Sequence, residues 1–197
     1  MLNNMIKNKN TRPSEQQALE AVKTLISWAG DNPDREGLLE TPKRVVNSYK
    51  EFFAGYEEDP IEILGKTFEE IQGYDDIVLL KNMRFESHCE HHMVPFIGIA
   101  HIAYIPNKKV VGISKIARLL DIFSKRLQTQ ETMTAQIAST IDSVLKPKGV
   151  AVLIDAEHQC MTSRGIHKPG TTTATVRMLG EFQNDSRLEA RFFDMIK

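Results

Sequence analysis

Two helical patterns occupy the first part of the chain. Residues 14–29 carry apolar side chains at helical spacing, and Ser14 with Gln17 forms a capping-box pattern at their start. A second helix is predicted from about residue 42 to residue 53, because a Thr-Pro pair is a typical start signal. These patterns predict an N-terminal helical segment.

The pattern changes at Ile77, where runs of β-branched residues replace the helical spacing. The strand-like stretches are residues 77–87, 94–106, 109–113, 149–159 and 171–182. The strand pattern is interrupted at Pro106 and Asn107, and two antiparallel strands joined by a tight turn are expected there. Helices are then predicted to start at Ser114 and at Thr129, and a short helix over residues 184–197 closes the chain.

The order strand, strand, helix, helix, strand, strand predicts an α+β fold, with a four-stranded antiparallel sheet and both long helices on one face. We expect a flexible N-terminus over residues 1–13, a helical segment over residues 14–74 and a main domain over residues 75–197. The helical segment and the main domain are expected to form one structural unit. An open sheet edge invites pairing with another copy of the chain, so we also expect a homo-oligomer.

Composition narrows the choice of partner and compartment. The chain is 41% hydrophobic and 26% charged with a formal charge of -1, so no overall field draws it to nucleic acid or anionic lipid. No apolar run approaches the roughly 20 residues that span a bilayer. Two cysteines are too few for a secreted disulfide scaffold. We therefore expect a cytoplasmic protein that binds neither nucleic acid nor membranes.

Most of the histidines lie close to a cysteine, and this clustering indicates a metal site. Cys89 and His92 are spaced C-x-x-H, which lets one turn bind a single ion, and Cys160 is a candidate third ligand. Two thiolates and one imidazole favour Zn²⁺. Three protein ligands would leave a position for a catalytic water, whereas His91 or His158 as a fourth ligand would close a structural site. A further alternative is that the cysteines are buried thiols and the histidines have structural roles.

His158 and His91 are candidates for proton transfer at this site. His158 precedes Cys160 by two positions, so on an extended segment both side chains would point to the same face. An imidazole beside a metal-activated water is well placed for general acid and base catalysis. His91 is adjacent to a candidate ligand and is a second candidate proton donor.

A basic cluster could bind an anion. Ser114, Lys115 and Arg118 occupy the first turn of a predicted helix, where exposed N–H groups already favour negative charge. Cations are unfavourable there unless a phosphate neutralises them, and Arg164, four residues after Cys160, could add another guanidinium. The alternative is a solvated basic face with a serine cap.

Glu131 also allows two interpretations. Near the start of a helix, a carboxylate usually compensates the helix dipole. It could instead accept two parallel hydrogen bonds from an N–H and an amino group, such as those on the edge of guanine. The chain has no P-loop or Rossmann glycine motif, so any nucleotide would be bound in another way.

Four motifs together resemble those of the type I GTP cyclohydrolase family. They are C-E-H-H at residues 89–92, G-I-S-K-x-x-R at 112–118, Q-T-Q-E at 128–131 and H-x-C-M-x-x-R-G at 158–165. The resemblance runs from about residue 14 to the C-terminus. It implies the tunnelling fold, in which sheets join edge to edge into barrels that stack as a homodecamer with active sites between subunits.

The resemblance also implies roles for individual residues. The implied zinc ligands are Cys89, His92 and Cys160, and the implied catalytic residues are His91, His158 and Ser114. The implied substrate contacts are Glu131 and Gln130 at the guanine, and Lys115, Arg118, Arg164 and Arg44 at the ribose and triphosphate. The family often has a lysine three positions after Arg44, where this chain has Asn47, so we expect weaker GTP binding without loss of chemistry.

The implied reaction converts GTP and water to formate and 7,8-dihydroneopterin 3'-triphosphate, the first step of tetrahydrofolate and pterin biosynthesis. It implies addition of water at C8 of guanine with a proton from His158, followed by release of formate, ribose opening and ring closure. Two other functions stay open: a zinc-stabilised homologue that binds a nucleotide without turnover, and a tunnelling-fold enzyme that acts on another purine or pterin.

Overall fold

The computed structural model describes residues 12–65, 67–68 and 73–197, and it is α+β. The helices are α1 (Glu15–Trp28), α2 (Thr41–Phe52), α3 (Pro60–Leu64), α4 (Ile113–Ser124), α5 (Gln130–Leu145), α6 (Gln159–Thr162), α7 (Glu181–Asn184) and α8 (Ser186–Ile196). The strands are β1 (Thr67–Phe68), β2 (Val78–Cys89), β3 (Pro95–Ile105), β4 (Val110–Val111), β5 (Leu127–Gln128), β6 (Gly149–His158) and β7 (Thr172–Gly180). Most of the predicted flexible N-terminus, residues 1–13, lies outside the described residues. Among the helices that are described, none has the length and apolar character needed to cross a membrane.

The N-terminal helices form where the sequence predicts them. The capping box at the start of α1 is present, with the Ser14 hydroxyl accepting from the Gln17 backbone N–H. Helix α2 begins one position earlier than expected, so Thr41 is its first residue and its hydroxyl does not cap the helix. The Lys50 ammonium on α2 donates to Glu15 on α1 at 2.8 Å and ties the two exposed helices together.

The main sheet differs from the expected one by an additional strand. Its order is β5-β2-β3-β6-β7, and the four long strands β2, β3, β6 and β7 pair antiparallel, as expected. Strand β5, however, pairs parallel with the end of β2, so the sheet is five-stranded and mixed. A two-residue strand between two helices has no period-2 pattern of its own, and it forms because the chain leaving α4 passes beside His88 and Cys89.

The tight turn expected at Pro106 and Asn107 does not join two paired strands, because β4 pairs with β1 and not with β3; the hairpin of the main sheet is formed by β2 and β3. Its register shifts between Leu80 and Met83, where Asn82 adopts a positive φ of 58° in a β-bulge. The next strand-like stretch, residues 109–113, gives only the short β4, which pairs with β1 in a separate two-stranded ladder. In the hairpin of β2 and β3, Ser87 pairs with Phe96, and Cys89 lies two positions after Ser87. Because side chains alternate between faces along a strand, all three lie on the same side of the sheet.

Helices α4 and α5 pack on that same face and bury the larger core. Their contributions to the core are Ile116, Leu119, Leu120, Phe123, Met133, Ile137, Ala138, Ile141 and Leu145. Thr129 caps α5 as predicted, since its hydroxyl accepts from the Thr132 N–H. The prediction that Ser114 starts α4 was wrong, because the helix begins at Ile113 after Gly112 and has no side-chain cap. The Ser114 hydroxyl therefore has no capping role.

The opposite face carries a smaller core beneath the C-terminal helices. It contains Ile77, Ala103, Ile105, Ala151, Phe182 and Phe192. The predicted helix over residues 184–197 is α8, which starts at Ser186 because the Asp185 carboxylate accepts from the Arg187 N–H. The short α7 precedes it directly after β7.

Aromatic ring contacts connect the end of α2 to the end of β2. The His88 ring, which is 6% exposed, lies 4.6 Å from the Phe52 ring and 5.3 Å from the Phe53 ring, between centroids. The adjacent Arg126 donates to the Gly55 carbonyl oxygen at 3.0 Å. The N-terminal helices are thus attached to the sheet at the end that holds Cys89.

The backbones of β3 and β6 approach each other closely at Gly98, and a substitution there tests this packing. A Cβ at this position would overlap the carbonyl oxygen of Asp155 and lie 2.7 Å from Ala156 Cα. Because these obstacles are backbone atoms that cannot rotate away, we expect Gly98→Ala to cost about 3 kcal/mol, the upper end of overpacking penalties. Gly65→Ala is the matched control, since its nearest contacts are 3.4 and 3.5 Å away. Thermal unfolding measures both, and equal midpoints would contradict the described packing.

Candidate active site

The turn between β2 and β3 brings Cys89 and His92 together. The Cys89 N–H donates to the Val94 carbonyl oxygen at 2.9 Å, and the Met93 N–H donates to the Cys89 carbonyl oxygen at 2.8 Å. Met93 adopts a positive φ of 54°, which reverses the chain within a few residues. This closure leaves His92 Nδ1 3.9 Å from the Cys89 sulfur, and His91 Nδ1 3.6 Å from the same atom.

Cys160 reaches the same place from β6 by another route than expected. The expected extended segment ends at His158, and Cys160 lies in the single helical turn α6 that follows. The prediction that Cys160 lies with His158 on one extended segment, with both side chains on the same face, was therefore wrong. The side chains of His158 and Cys160 nevertheless line one cavity with Cys89.

The three sequence-predicted ligands form a group that could hold a metal ion. Among the described residues, the ligand atoms of Cys89, His92 and Cys160 all lie within 4.8 Å of one another. A sulfur and a nitrogen on one tetrahedral zinc ion are about 3.5 Å apart, which is close to the 3.9 Å between Cys89 and His92. The donor set and its spacing therefore fit a single metal ion. His91 is near the Cys89 sulfur but is not a member of the group.

Electrostatics at Cys160 also favour a bound cation. Burial raises the pKa of the Cys160 thiol, and the neighbouring Cys89 thiol raises it further. The Arg164 guanidinium acts in the opposite direction and lowers this pKa. Two adjacent sulfurs repel each other as thiolates, and a divalent cation relieves that repulsion because it binds the deprotonated forms. Both cysteines are free thiols in the structure.

His158 is held beside this group by two contacts. Its ring stacks on Phe96 with 4.7 Å between centroids and 3° between planes. Its Nε2 atom lies 2.8 Å from the side-chain oxygen of Gln130. Burial lowers the pKa of His158, and the charge of Glu131 partly opposes that shift. The ring is therefore fixed in position and biased toward its neutral form.

The residues from three distant parts of the sequence meet around a cavity of about 220 Å³. Its lining residues are Cys89, His91, His92, Gln128, Thr129, Gln130, Glu131, His158, Cys160, Met161 and Thr173. All the predicted metal ligands, both predicted proton-transfer histidines and the predicted guanine contacts are among them. The cavity is smaller than the roughly 300–1,000 Å³ of typical small-molecule pockets.

The predicted triphosphate residues are divided between two places. Arg164 follows α6 and is close enough to affect the Cys160 thiol. Arg44, Ser114, Lys115 and Arg118 do not belong to the described lining of the cavity.

The position of α4 explains this separation. The strand before it, β4, is linked to the far end of the hairpin, where the Val111 N–H donates to the Tyr104 hydroxyl. Tyr104 pairs with Val78, at the end of β2 opposite Cys89. Helix α4 runs from there back toward β5, which pairs with Cys89, so its first turn lies about one helix length, roughly 18 Å at 1.5 Å per residue, from the metal end of the sheet.

Three further residues of the site have no local sequence signal of their own. Phe96 fits its strand pattern as an ordinary core position, and only the pairing of β3 with β6 places it on His158. Thr173 and Thr175 contact Gln130, which is more than forty residues away in the sequence. Their alternation along β7 predicts a shared face but not the partner on that face.

Comparison with known proteins identifies the family. The family model described as GTP cyclohydrolase I matches residues 18–197. A GTP cyclohydrolase 1 of Maricaulis maris is 61% identical over 95% of this chain and 92% of its own, and one of Hyphomonas neptunium is 62% identical over 93% and 89%. A GTP cyclohydrolase 1 of Brucella anthropi is 59% identical over 94% of this chain and 87% of its own. The chain therefore belongs to the GTP cyclohydrolase I family.

The metal group predicts a clear loss on substitution. We expect His92→Gln and Cys160→Ser to weaken metal binding by more than about 100-fold, since even outer partners of metal ligands contribute 10–100-fold. Dialysis against a weak chelator followed by measurement of protein-bound Zn²⁺ checks this. His167→Gln is the control, because it removes an exposed imidazole outside the cavity. Full metal content in Cys160→Ser would contradict the ligand assignment.

Proposed function

We propose that this protein is a zinc-dependent GTP cyclohydrolase I, which converts GTP and water to formate and 7,8-dihydroneopterin 3'-triphosphate. The observation that carries the proposal is the convergence of the Cys-His-Cys group, His158 and Glu131 on one cavity in a chain of this family. A fold that only bound a nucleotide would need neither the open metal group nor the half-buried imidazole beside it. We also propose that it acts in the cytoplasm, where a reducing environment keeps Cys89 and Cys160 as free thiols.

We assign the metal as zinc, held by Cys89, His92 and Cys160. Two sulfurs and one imidazole are the donors that this ion prefers, and their spacing fits tetrahedral coordination. Zinc bound there supplies Lewis acidity, which lowers the pKa of a coordinated water towards about 7. His158 is unsuited to be a fourth ligand through Nε2, because that atom is committed to Gln130.

The chain's own residues orient the substrate and move its protons. Glu131 lines the cavity with an exposed carboxylate and accepts paired hydrogen bonds from the guanine N–H and amino groups. His158, held beside the metal group, gives a proton to the guanine ring nitrogen next to the carbon that is attacked. His91 and Ser114 then assist opening of the ribose and the rearrangement that precedes ring closure.

We further propose that each active site is shared between copies of the chain in a homodecamer. The basic cluster of Ser114, Lys115 and Arg118 lies at the end of α4 remote from Cys89 and does not line the cavity of its own chain. The cavity of a single chain is also small for a nucleoside triphosphate. Among the described strands, β7 is a long edge strand that can pair with a neighbour and bring its basic cluster close. Arg44 on α2 is proposed as a further triphosphate contact across such an interface.

The catalytic proposal is tested by incubating the protein with GTP and measuring formate together with the near-ultraviolet absorbance of a dihydropterin. We expect both products to appear together, to be lost on chelation and to return with added Zn²⁺. ATP is the matched control, since it lacks the N–H and amino pair that Glu131 accepts from, and we expect no formate from it. A zinc-loaded protein that releases no formate from GTP would contradict the proposal.

The shared site is tested by mixing two inactive variants. Lys115→Ala and His158→Ala are expected to be inactive alone, but subunits mixed by co-expression should regain about a quarter of the activity, because one site in four receives intact residues from both neighbours. Mixing Glu131→Ala with His158→Ala is the control, since both residues line the cavity of the same chain. Recovery is measured as formate released per subunit. No recovery with Lys115→Ala would mean that sites are not shared in this way.

A further inference from the structure

We infer that Gln130 is a positioning residue that fixes the orientation and the tautomer of His158, and that its side chain is not a substrate contact. The family resemblance places Gln130 beside Glu131 at the guanine. In the structure the two neighbours differ, since Gln130 is 1% exposed and Glu131 is an exposed residue. The inference rests on the proposed role of His158 in proton transfer.

The chemistry of its partners determines which way the Gln130 amide points. Its Nε2 atom lies 2.7 Å from the Thr173 carbonyl oxygen and 3.0 Å from the Ile154 carbonyl oxygen. Carbonyl oxygens only accept hydrogen bonds, so the group facing them must be the amide nitrogen with its two hydrogens. A flipped amide would place oxygen against two oxygens at the same distances. The Thr175 hydroxyl, 3.1 Å from Nε2, gives a third contact on that side.

The orientation of the amide in turn determines which ring nitrogen of His158 carries the hydrogen. Gln130 Oε1 faces His158 Nε2 at 2.8 Å, and an amide oxygen can only accept. His158 Nε2 must therefore carry a hydrogen and donate it to Gln130. In the neutral ring the lone pair is then on Nδ1, so Nδ1 is the nitrogen that takes up a proton from water and passes it on to the substrate.

A second contact completes the positioning of the ring. The parallel stack on Phe96 restricts the ring to one plane, and the bond to Gln130 selects one rotation within that plane. Neither contact alone defines the direction in which Nδ1 points. Together they hold the imidazole in one orientation before substrate arrives, which is the condition for efficient general acid catalysis.

Gln130 is itself held rigidly. Its backbone carbonyl accepts from the Thr134 hydroxyl at 2.7 Å, and the Thr134 and Thr175 hydroxyls lie 2.7 Å apart. Every polar atom of its side chain thus has a partner within the chain. Binding substrate through this amide would require breaking a buried hydrogen bond, which is unfavourable. These hydrogen bonds fix the Gln130 side chain, which allows it to hold the His158 ring in position.

The first test compares Gln130→Met with Gln136→Met, using the zinc-loaded enzyme. Gln136 is the matched control because it lies on the same helix and its amide accepts a hydrogen bond from Gln128, without touching His158. For Gln130→Met we expect kcat to fall about 100-fold, the lower range for loss of general acid catalysis, with zinc content and GTP affinity within about threefold of the parent. For Gln136→Met we expect kcat to stay within about threefold.

If Gln130 were a substrate contact, its substitution would change KM and leave kcat unaltered, the reverse of the result expected here. If Gln130→Met raised KM for GTP with kcat retained, Gln130 would be a substrate ligand and the inference would be overturned. An equal loss of kcat in Gln136→Met would likewise overturn it, because the effect would then be general damage to α5.

The second test is made on the parent protein and uses a variant only to assign signals. The ¹⁵N spectrum of histidine-labelled, zinc-loaded parent protein, recorded where His158 is neutral, reports which ring nitrogen carries the hydrogen. The His158 signals are assigned by their absence in His158→Gln. We expect the Nε2–H tautomer, and an Nδ1–H tautomer would overturn the inference.

The two tests separate this inference from the proposed function. A parent enzyme that releases formate, together with a Gln130→Met variant of unchanged kcat, would overturn the positioning role and leave the cyclohydrolase proposal intact. A parent without GTP turnover would overturn the cyclohydrolase proposal, and the ¹⁵N spectrum would still decide whether Gln130 sets the tautomer.

Discussion

The antiparallel pairing of β3 with β6 is the interaction on which the rest of the site depends. Ten residue pairs run from Phe96–His158 to Ile105–Gly149, and they place Phe96 and His158 side by side on the face that also carries Cys89. A slip of one position would turn His158 to the opposite face, away from Gln130 on α5. Because both faces of the central strands are packed against apolar side chains, such a slip would also expose core residues on both sides. The register of the sheet thus decides which groups can react together at its end.

The residues around His158 and the metal group are held in place by many contacts, whereas most of the proposed triphosphate contacts lie outside the cavity. Around His158, backbone carbonyls, threonine hydroxyls and a stacked phenylalanine leave each polar group with one available geometry. At the metal group, the turn after β2 and the single turn of α6 hold three ligand atoms close together. Two of the cationic groups suited to a triphosphate, Lys115 and Arg118, lie near the start of α4 and outside the cavity. This separation is the reason for proposing that each site is shared between copies of the chain.

Local features of the structure follow closely from local features of the sequence. The capping box at Ser14 forms, Thr129 caps α5, and the C-x-x-H spacing closes into a turn that joins Cys89 to His92. The predictions fail where neighbours outside the segment decide the outcome. Strand β5 exists because β2 lies beside it, and Cys160 lies in a helical turn although the preceding residues read as continuous strand. Neither outcome has a periodic pattern for the sequence to reveal.

The sequence by itself determined most of the long helices and strands, the family and the types of atom at the site. Two cysteines and one histidine at these spacings restrict the metal, and the four motifs restrict the chemistry, because ligand and catalytic types depend only on side-chain identity. The tertiary structure alone decided how those groups are arranged. Which nitrogen of His158 is protonated depends on the Gln130 amide, and that amide depends on carbonyls of β6 and β7 that pack together only in the folded chain. A carbonyl has the same chemistry at every residue, so its position in space, and not its place in the sequence, gives it this role.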